Sequence, residues 1–201
     1  MSFILLGFFT GLSLILAIGA QNIFVIEQGL KKQYVFLVCL ICSLSDLILI
    51  FLGVFLFEYF RNFITDIVEL FFNISLLIFL VYFIINKIRF NYNNLSIRLK
   101  NSKISLSNVI IKTLGFTYLN PHVYSDTVFF LGNFSKNFLI NEKIIFGIGA
   151  SIASFLFFFL IGYLSKFLSQ YAQNQKVWKV INIFIITFMS VLTFYIFLEI
   201  I

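Results

Sequence analysis

Apolar residues in this chain fall into six blocks, each near the roughly 20 residues a helix needs to cross a bilayer. They run over about 3–26, 35–57, 67–86, 106–134, 143–168 and 177–199, and they predict six transmembrane helices. Polar residues interrupt two of the blocks. In the first, "LAIGAQN" (16–22) sets Gly19, Gln21 and Asn22 inside an apolar run; in the fourth, "TYLNPH" (117–122) does so with Asn120 and Pro121. One sizeable polar stretch, "NKIRFNYNNLSIRLKNSK" (86–103), divides the blocks three and three. The expected organisation is a single membrane domain over 1–201, with a first repeat at about 3–86, a cytoplasmic linker at about 87–105 and a second repeat at about 106–201.

Three helices followed by three cross the membrane in opposite senses, which is the layout of an inverted repeat. Faint internal similarity agrees. "CSLSDLILIFLG" (42–53) in helix 2 matches "ASIASFLFFFLIG" (150–162) in helix 5, so that Asp46 falls opposite Ser154. The fold class expected is therefore an all-α integral membrane protein, with six transmembrane helices as a 3+3 inverted repeat and breaks in helices 1 and 4. Interrupted helices at corresponding places in two halves point to a transporter's binding site. A proline within a helix removes a backbone hydrogen bond. In lipid the freed carbonyl needs a partner, for which Tyr118, Thr117 and Asn120 are at hand, so the break should face protein or water.

Composition places the chain firmly in the membrane. It is 61% hydrophobic and 11% charged over 201 residues, against about 45–50% and about 25% in soluble domains. Thirty phenylalanines are expected mostly on lipid-facing surface. The first block lacks a basic leader and exceeds the ~7–15 apolar residues of a signal peptide, so it is expected to be a retained membrane helix. No nucleotide-binding loop or hydrolase constellation is visible, which argues against an enzyme.

Basic residues set orientation. Lys31 and Lys32 follow helix 1; Lys87, Arg89, Arg98, Lys100, Lys103 and Lys112 surround the central linker; Lys166, Lys176 and Lys179 lie between helices 5 and 6. The other side holds only Arg61, Lys136 and Lys143. This asymmetry predicts cytoplasmic odd-to-even connections and both termini outside. It also explains the net charge of +6 through topology and anionic lipid, with no need for nucleic acid.

Two carboxylates lie deep in the apolar blocks. Asp46 is 14 residues beyond Lys32, and Asp126 is 14 beyond Lys112, so each should sit ~20 Å from its cytoplasmic lysine. A charged Asp at a helix centre costs roughly 2.5–3.5 kcal/mol on insertion scales. One such residue could be a structural hydrogen-bond acceptor; two at similar depth lean toward a cation or proton pathway. His122 could carry a proton or serve as a hydrogen-bonded spacer beside the break. Glu27, near the cytoplasmic end of helix 1, reads as a solvated interfacial residue or a gate. Cys39 and Cys42 form a C-x-x-C, a pattern that can be a redox pair, yet two small residues on one face of a packed helix account for it. No Cys/His cluster suits a soft metal.

These residues also carry a resemblance. "IGAQN" with "FVIEQGLKKQY" (18–34), "SDLILIFLGVF" (45–55), "YLNPHVYSDTVFFLG" (118–132), "GASIASFLFFF" (149–159) and "KVWKVINIFI" (176–185) resemble the lysine/arginine exporter (LysE-type) family, and within it the arginine-exporting branch. The chain departs from that family at Ala20, where proline is usual. The resemblance implies an inner-membrane secondary exporter of L-arginine and L-lysine that uses the proton-motive force and no cofactor. In that scheme Asp46 and Asp126 share proton and substrate cation. Gln21, Asn22 and Asn120, with backbone freed at Gly19 and Pro121, hold the amino-acid head, and Tyr124 and His122 lie on the path. The partners expected are the amino acid and the bilayer, with a homo-oligomer left open. Alternatives are export of a neutral amino acid or a divalent metal, a thiol carrier using Cys39 and Cys42, and a subunit without transport of its own.

Overall fold

The computed structural model describes residues 2–16, 19–61, 66–88, 105–172 and 175–200. The linker expected at about 87–105 lies almost wholly outside these residues. Each expected block is helical. The first is split into α1 (Phe3–Ile15) and α2 (Ala20–Lys31), followed by α3 (Val35–Arg61) and α4 (Asp66–Ile88). The fourth block is α5 (Leu106–Tyr118), a short α6 (Pro121–Tyr124), a π-helical turn over Ser125–Phe130 and α7 (Leu131–Ser135). The chain ends in α8 (Ile140–Ala172) and α9 (Gln175–Ile200). The protein is all-helical among the described residues. Among the described residues three stretches are long and apolar enough to cross a membrane: Val35–Phe57, Ile140–Gln170 and Lys179–Leu198. A fourth is added if α1 and α2, bent by 82°, form one broken span. The chain is a multi-pass membrane protein.

Helix α8 is the spine: α1, α2 and α3 all pack on it, α3 reaches across to the α5–α7 segment, and α4 pairs with α9. Glycines set the closest approaches. Gly7 and Gly11, one turn apart on α1, lie against the Phe146 and Ala150 backbone, where a Cβ would overlap. Small residues four apart let helices in lipid meet at backbone distance, gaining dispersion contacts that lipid tails cannot offer. On α3, a Cβ at Gly53 would stand 2.6 Å from the Thr127 carbonyl oxygen and the Val128 Cα of the π-helical turn. A Cβ at Gly132 of α7 would stand 2.7 Å from the Gly53 carbonyl oxygen. The helices that carry the two deep aspartates are thus held together at their tightest crossing.

Among the described phenylalanines seven are buried and the rest are partly or fully exposed, in line with the expectation that most lie on the outer surface. Phe36, Phe167 and Phe194 are on the outer surface. Phe24, Phe83, Phe116, Phe146 and Phe158 are buried, and all but Phe146 belong to the main core with Val38, Leu76, Leu80 and Met189. In a chain with so many apolar residues, composition alone does not separate inside from outside, because both are apolar.

Candidate functional site

Both interruptions are true helix breaks. Asn120 adopts an extended backbone (φ −87°, ψ 108°), and its side-chain Oδ1 accepts from the His122 backbone N–H at 3.2 Å, which caps α6. Pro121 is the first residue of α6 rather than an interior residue of a longer helix. Its missing N–H is one that has no intrahelical partner at that position in any case. The cost expected for a mid-helix proline does not arise. Across the gap, the Tyr124 hydroxyl donates to the Tyr118 carbonyl at 2.9 Å, supplying a partner at the end of α5.

The first break is built with different residues. Gly19 is extended (φ −110°, ψ −178°) and Ala20 opens α2. The Asn22 Nδ2 reaches back 3.0 Å to the Ile15 carbonyl, satisfying an orphan acceptor at the end of α1. The helix therefore breaks fully without proline at position 20. A proline there would sit at the first helical position, where it shapes the break without being its cause.

The two breaks meet at one cavity of about 390 Å³, within the ~300–1,000 Å³ of small-molecule sites. Gly19, Gln21 and Asn22 come to it from the start of α2, and Asn120 and His122 from the start of α6. Asp46 enters from α3 and Asp126 from the π-helical turn. Leu14, Leu76, Leu80, Phe158, Leu192 and Ile196 supply an apolar lining. Asp46 is only 3% exposed and accepts a 2.8 Å hydrogen bond from the Ser154 hydroxyl, the residue matched to it in the other half. Asp126 is half-buried, and the two carboxylates are near enough to interact electrostatically. His122, one turn before Asp126, also interacts with it electrostatically and stacks against Tyr195 of α9, with ring centroids 6.3 Å apart.

Asp126 lies in the first turn of the π-helical segment. An extra residue in one turn rotates the side chains that follow it, and such insertions recur at functional sites. The Thr127 hydroxyl bonds back to the Val123 carbonyl at 2.6 Å within the same segment. Of the three amides expected to hold a ligand, Asn22 and Asn120 each make a bond that holds a break. Gln21 is different: its Nε2 is buried with no hydrogen-bond acceptor, and its neighbour is the Cys42 sulfur, a weak one. A buried amide donor beside a cavity is suited to a ligand oxygen.

Seven of the nine residues singled out from sequence line the cavity: Gly19, Gln21, Asn22, Asp46, Asn120, His122 and Asp126. Pro121 and Tyr124 do not; Tyr124 packs with Leu49, Val123 and Val128 beside it. Sequence reasoning missed Tyr195 and Phe158, for which an apolar aromatic-rich helix gives no local signal. Glu27 is buried rather than solvated, and forms an ion pair with Lys31. Cys39 and Cys42 are unpaired thiols with no exposure, and Cys39 donates to the Phe158 carbonyl at 3.2 Å. A packing role accounts for both.

A cavity with two carboxylates between broken helices in a multi-pass membrane protein suits translocation, and the family to which the chain belongs makes it a transporter rather than an enzyme. The LysE type translocator family matches residues 12–199, and the chain belongs to that family. It is 33% identical over 190 residues to "Arginine exporter protein ArgO" of Pectobacterium carotovorum subsp. carotovorum, covering 89% of this chain and 88% of the relative. It is 30% identical over 196 residues to the protein of that name in Salmonella enteritidis, covering 94% and 90%. For the one in Klebsiella pneumoniae the figures are 31% over 185 residues, 88% and 84%. No solved structure matches the chain.

Proposed function

We propose that this protein is a secondary exporter of basic amino acids, L-arginine first and L-lysine with it, working by proton antiport across the bacterial inner membrane. The observation that carries the proposal is the meeting of Asp46 and Asp126 in one cavity with the starts of two broken helices, in a chain about one-third identical to proteins named arginine exporters.

The chemistry follows from charge. A carboxylate kept from bulk water needs a counter-charge or a proton. A substrate cation and a proton thus compete for the same pair of groups, and a site that holds one or the other exchanges them. Moving a cation out of a negative cytoplasm costs ~2.3 kcal/mol per 100 mV. One proton inward for one cationic amino acid outward removes that electrical cost. The substrate's α-carboxylate is held at the start of α2, where unpaired backbone N–H groups and the helix dipole favour negative charge, with the Gln21 Nε2 beside it. Asp46 and Asp126 divide the proton and the substrate ammonium or guanidinium between them.

Six membrane crossings in two inverted halves, with both termini outside, fit this scheme. The paired breaks, the Asp46–Ser154 bond between matched residues and the lysine-rich connections support that arrangement. Rocking of one half against the other would then expose the cavity to each side in turn.

The test is efflux of labelled arginine from cells producing Asp46→Asn or Asp126→Asn. Each should reduce efflux to the level of cells without the protein while membrane insertion stays unchanged. Efflux at the wild-type rate in both would end the proposal. Including lysine, a neutral amino acid and cadmium in the same assay identifies the substrate class.

A further inference from the structure

Three helices leave the cavity through the same succession of layers. On α2, Gln21 and Asn22 line the cavity, Phe24 follows, and then Glu27 and Lys31. On α5, read back from Asn120, Phe116 comes first and Lys112 one turn further. On α4, Leu76 and Leu80 line the cavity, and Phe79 and Phe83 lie beside and beyond them. The rings close on each other. Phe116 lies 4.8 Å from Phe24, 4.8 Å from Phe79 and 5.0 Å from Phe83 between centroids. Phe24 and Phe116 are fully buried. Lys112 Nζ stands 6.0 Å from the centroid of Phe83 and within electrostatic reach of Glu27 and Lys31.

Glu27 thus sits on the far side of an aromatic wall from Asp46 and Asp126, ~7–8 Å further along α2 than Asn22. It is 2% exposed, whereas its Lys31 partner is 20% exposed at the side chain. The desolvation of a buried ion pair often exceeds the attraction between its members, so such a pair is a poor device for stability alone. The carboxylate is enclosed, whereas the ammonium side reaches the surface. Gly29 is pressed on the Gly162 carbonyl and Ser165 of α8, at 2.6 Å from where its Cβ would be, which pins the last turns of α2. Lys31 ends that helix, next to Lys32 in the left-handed region (φ 57°).

We propose that Glu27 is a second cation subsite, the entry point on the lysine-rich face for the ammonium or guanidinium of the exported amino acid. The Lys31 ammonium holds the site between cycles. It is the same chemical group as the end of a lysine substrate, so an incoming cation replaces it at the Glu27 carboxylate without changing the charge there. The displaced Lys31 swings to solvent. Passage onward to Asp46 and Asp126 needs the Phe24–Phe83–Phe116 wall to part. This site rests on the basic amino-acid reading proposed above.

The experiment is the initial rate of arginine transport entering from the lysine-rich face, in oriented proteoliposomes, for the wild type, Glu27→Gln, Lys31→Met and the double variant. Losing a charged hydrogen-bond partner in a buried site should raise KM about tenfold in Glu27→Gln, with kcat less affected. Lys31→Met removes the resident competitor and should lower KM severalfold. The double variant should behave as Glu27→Gln does. An ion pair that only braces the fold gives the opposite pattern: the double variant regains wild-type KM and protein yield, which overturns the site. If Glu27→Gln does not fold, an unchanged KM in Lys31→Met overturns it equally. A wild-type protein that carries no cationic amino acid removes both the function and the site. Wild-type transport with an unaltered KM in every variant removes the site alone.

Discussion

Asp46 and Asp126, the pair proposed to share proton and substrate cation, sit in different settings. Asp46 is nearly inaccessible and already accepts from Ser154, whereas Asp126 is half-exposed to the cavity beside His122. Neither has a lysine or arginine partner among the described hydrogen bonds, so the position of a counter-cation is left to whatever enters the cavity. Ala20 offers a separate check at this scale. It begins α2 after an extended Gly19, so Ala20→Pro should be accepted and should stabilise by ~0.4–1 kcal/mol through a less flexible unfolded chain. Thermal unfolding in detergent together with arginine efflux checks this. A lost helix break, seen as lost efflux at normal yield, would contradict it. Both aspartates were legible in the sequence because any charge stands out in an apolar block. The burial of Glu27 was not, because its distance from Lys31 and Lys32 suggests an interface. In the fold α2 packs along α8, and Glu27 is enclosed there.

At the scale of elements, the breaks and the glycine crossings are one device. Breaks turn helix starts toward the cavity, and glycines bring the backbones close enough to hold them there. Gly53 and Gly132 clamp α3 to the π-helical turn and α7, so a side chain at position 53 forces the two aspartate-bearing segments apart. Gly53→Val should destabilise by roughly 1–3 kcal/mol, as overpacked sites do, and should impair transport. Gly19→Ala should leave stability unchanged, since a Cβ there meets no protein atom. Unfolding midpoints of the two variants in detergent give the comparison, and equal midpoints would contradict the crossing. The breaks were readable from Asn120–Pro121 and from the polar group at 19–22. The π-helical turn was not readable, because "SDTVFF" has nothing that distinguishes it from ordinary helix; the fit against Gly53 selects it.

At the scale of the whole molecule, phenylalanines close the cavity on the lysine-rich side, and His122 and Tyr195 edge it. Sequence showed which residues could gather, since seven of the nine did. It did not show what closes the cavity, because phenylalanine is spread through almost every helix and pattern alone does not choose which rings face inward. Proton-for-cation exchange at the aspartate pair is the claim on which the rest depends. It is tested most directly in proteoliposomes holding the wild type, Asp46→Asn or Asp126→Asn, with the membrane potential clamped at zero. Labelled arginine is supplied on one side and an acid pH is imposed on the other. The wild type should drive arginine toward the acid compartment above its starting concentration, and both variants should not. Arginine movement indifferent to the pH gradient, or full accumulation by either variant, would contradict the claim.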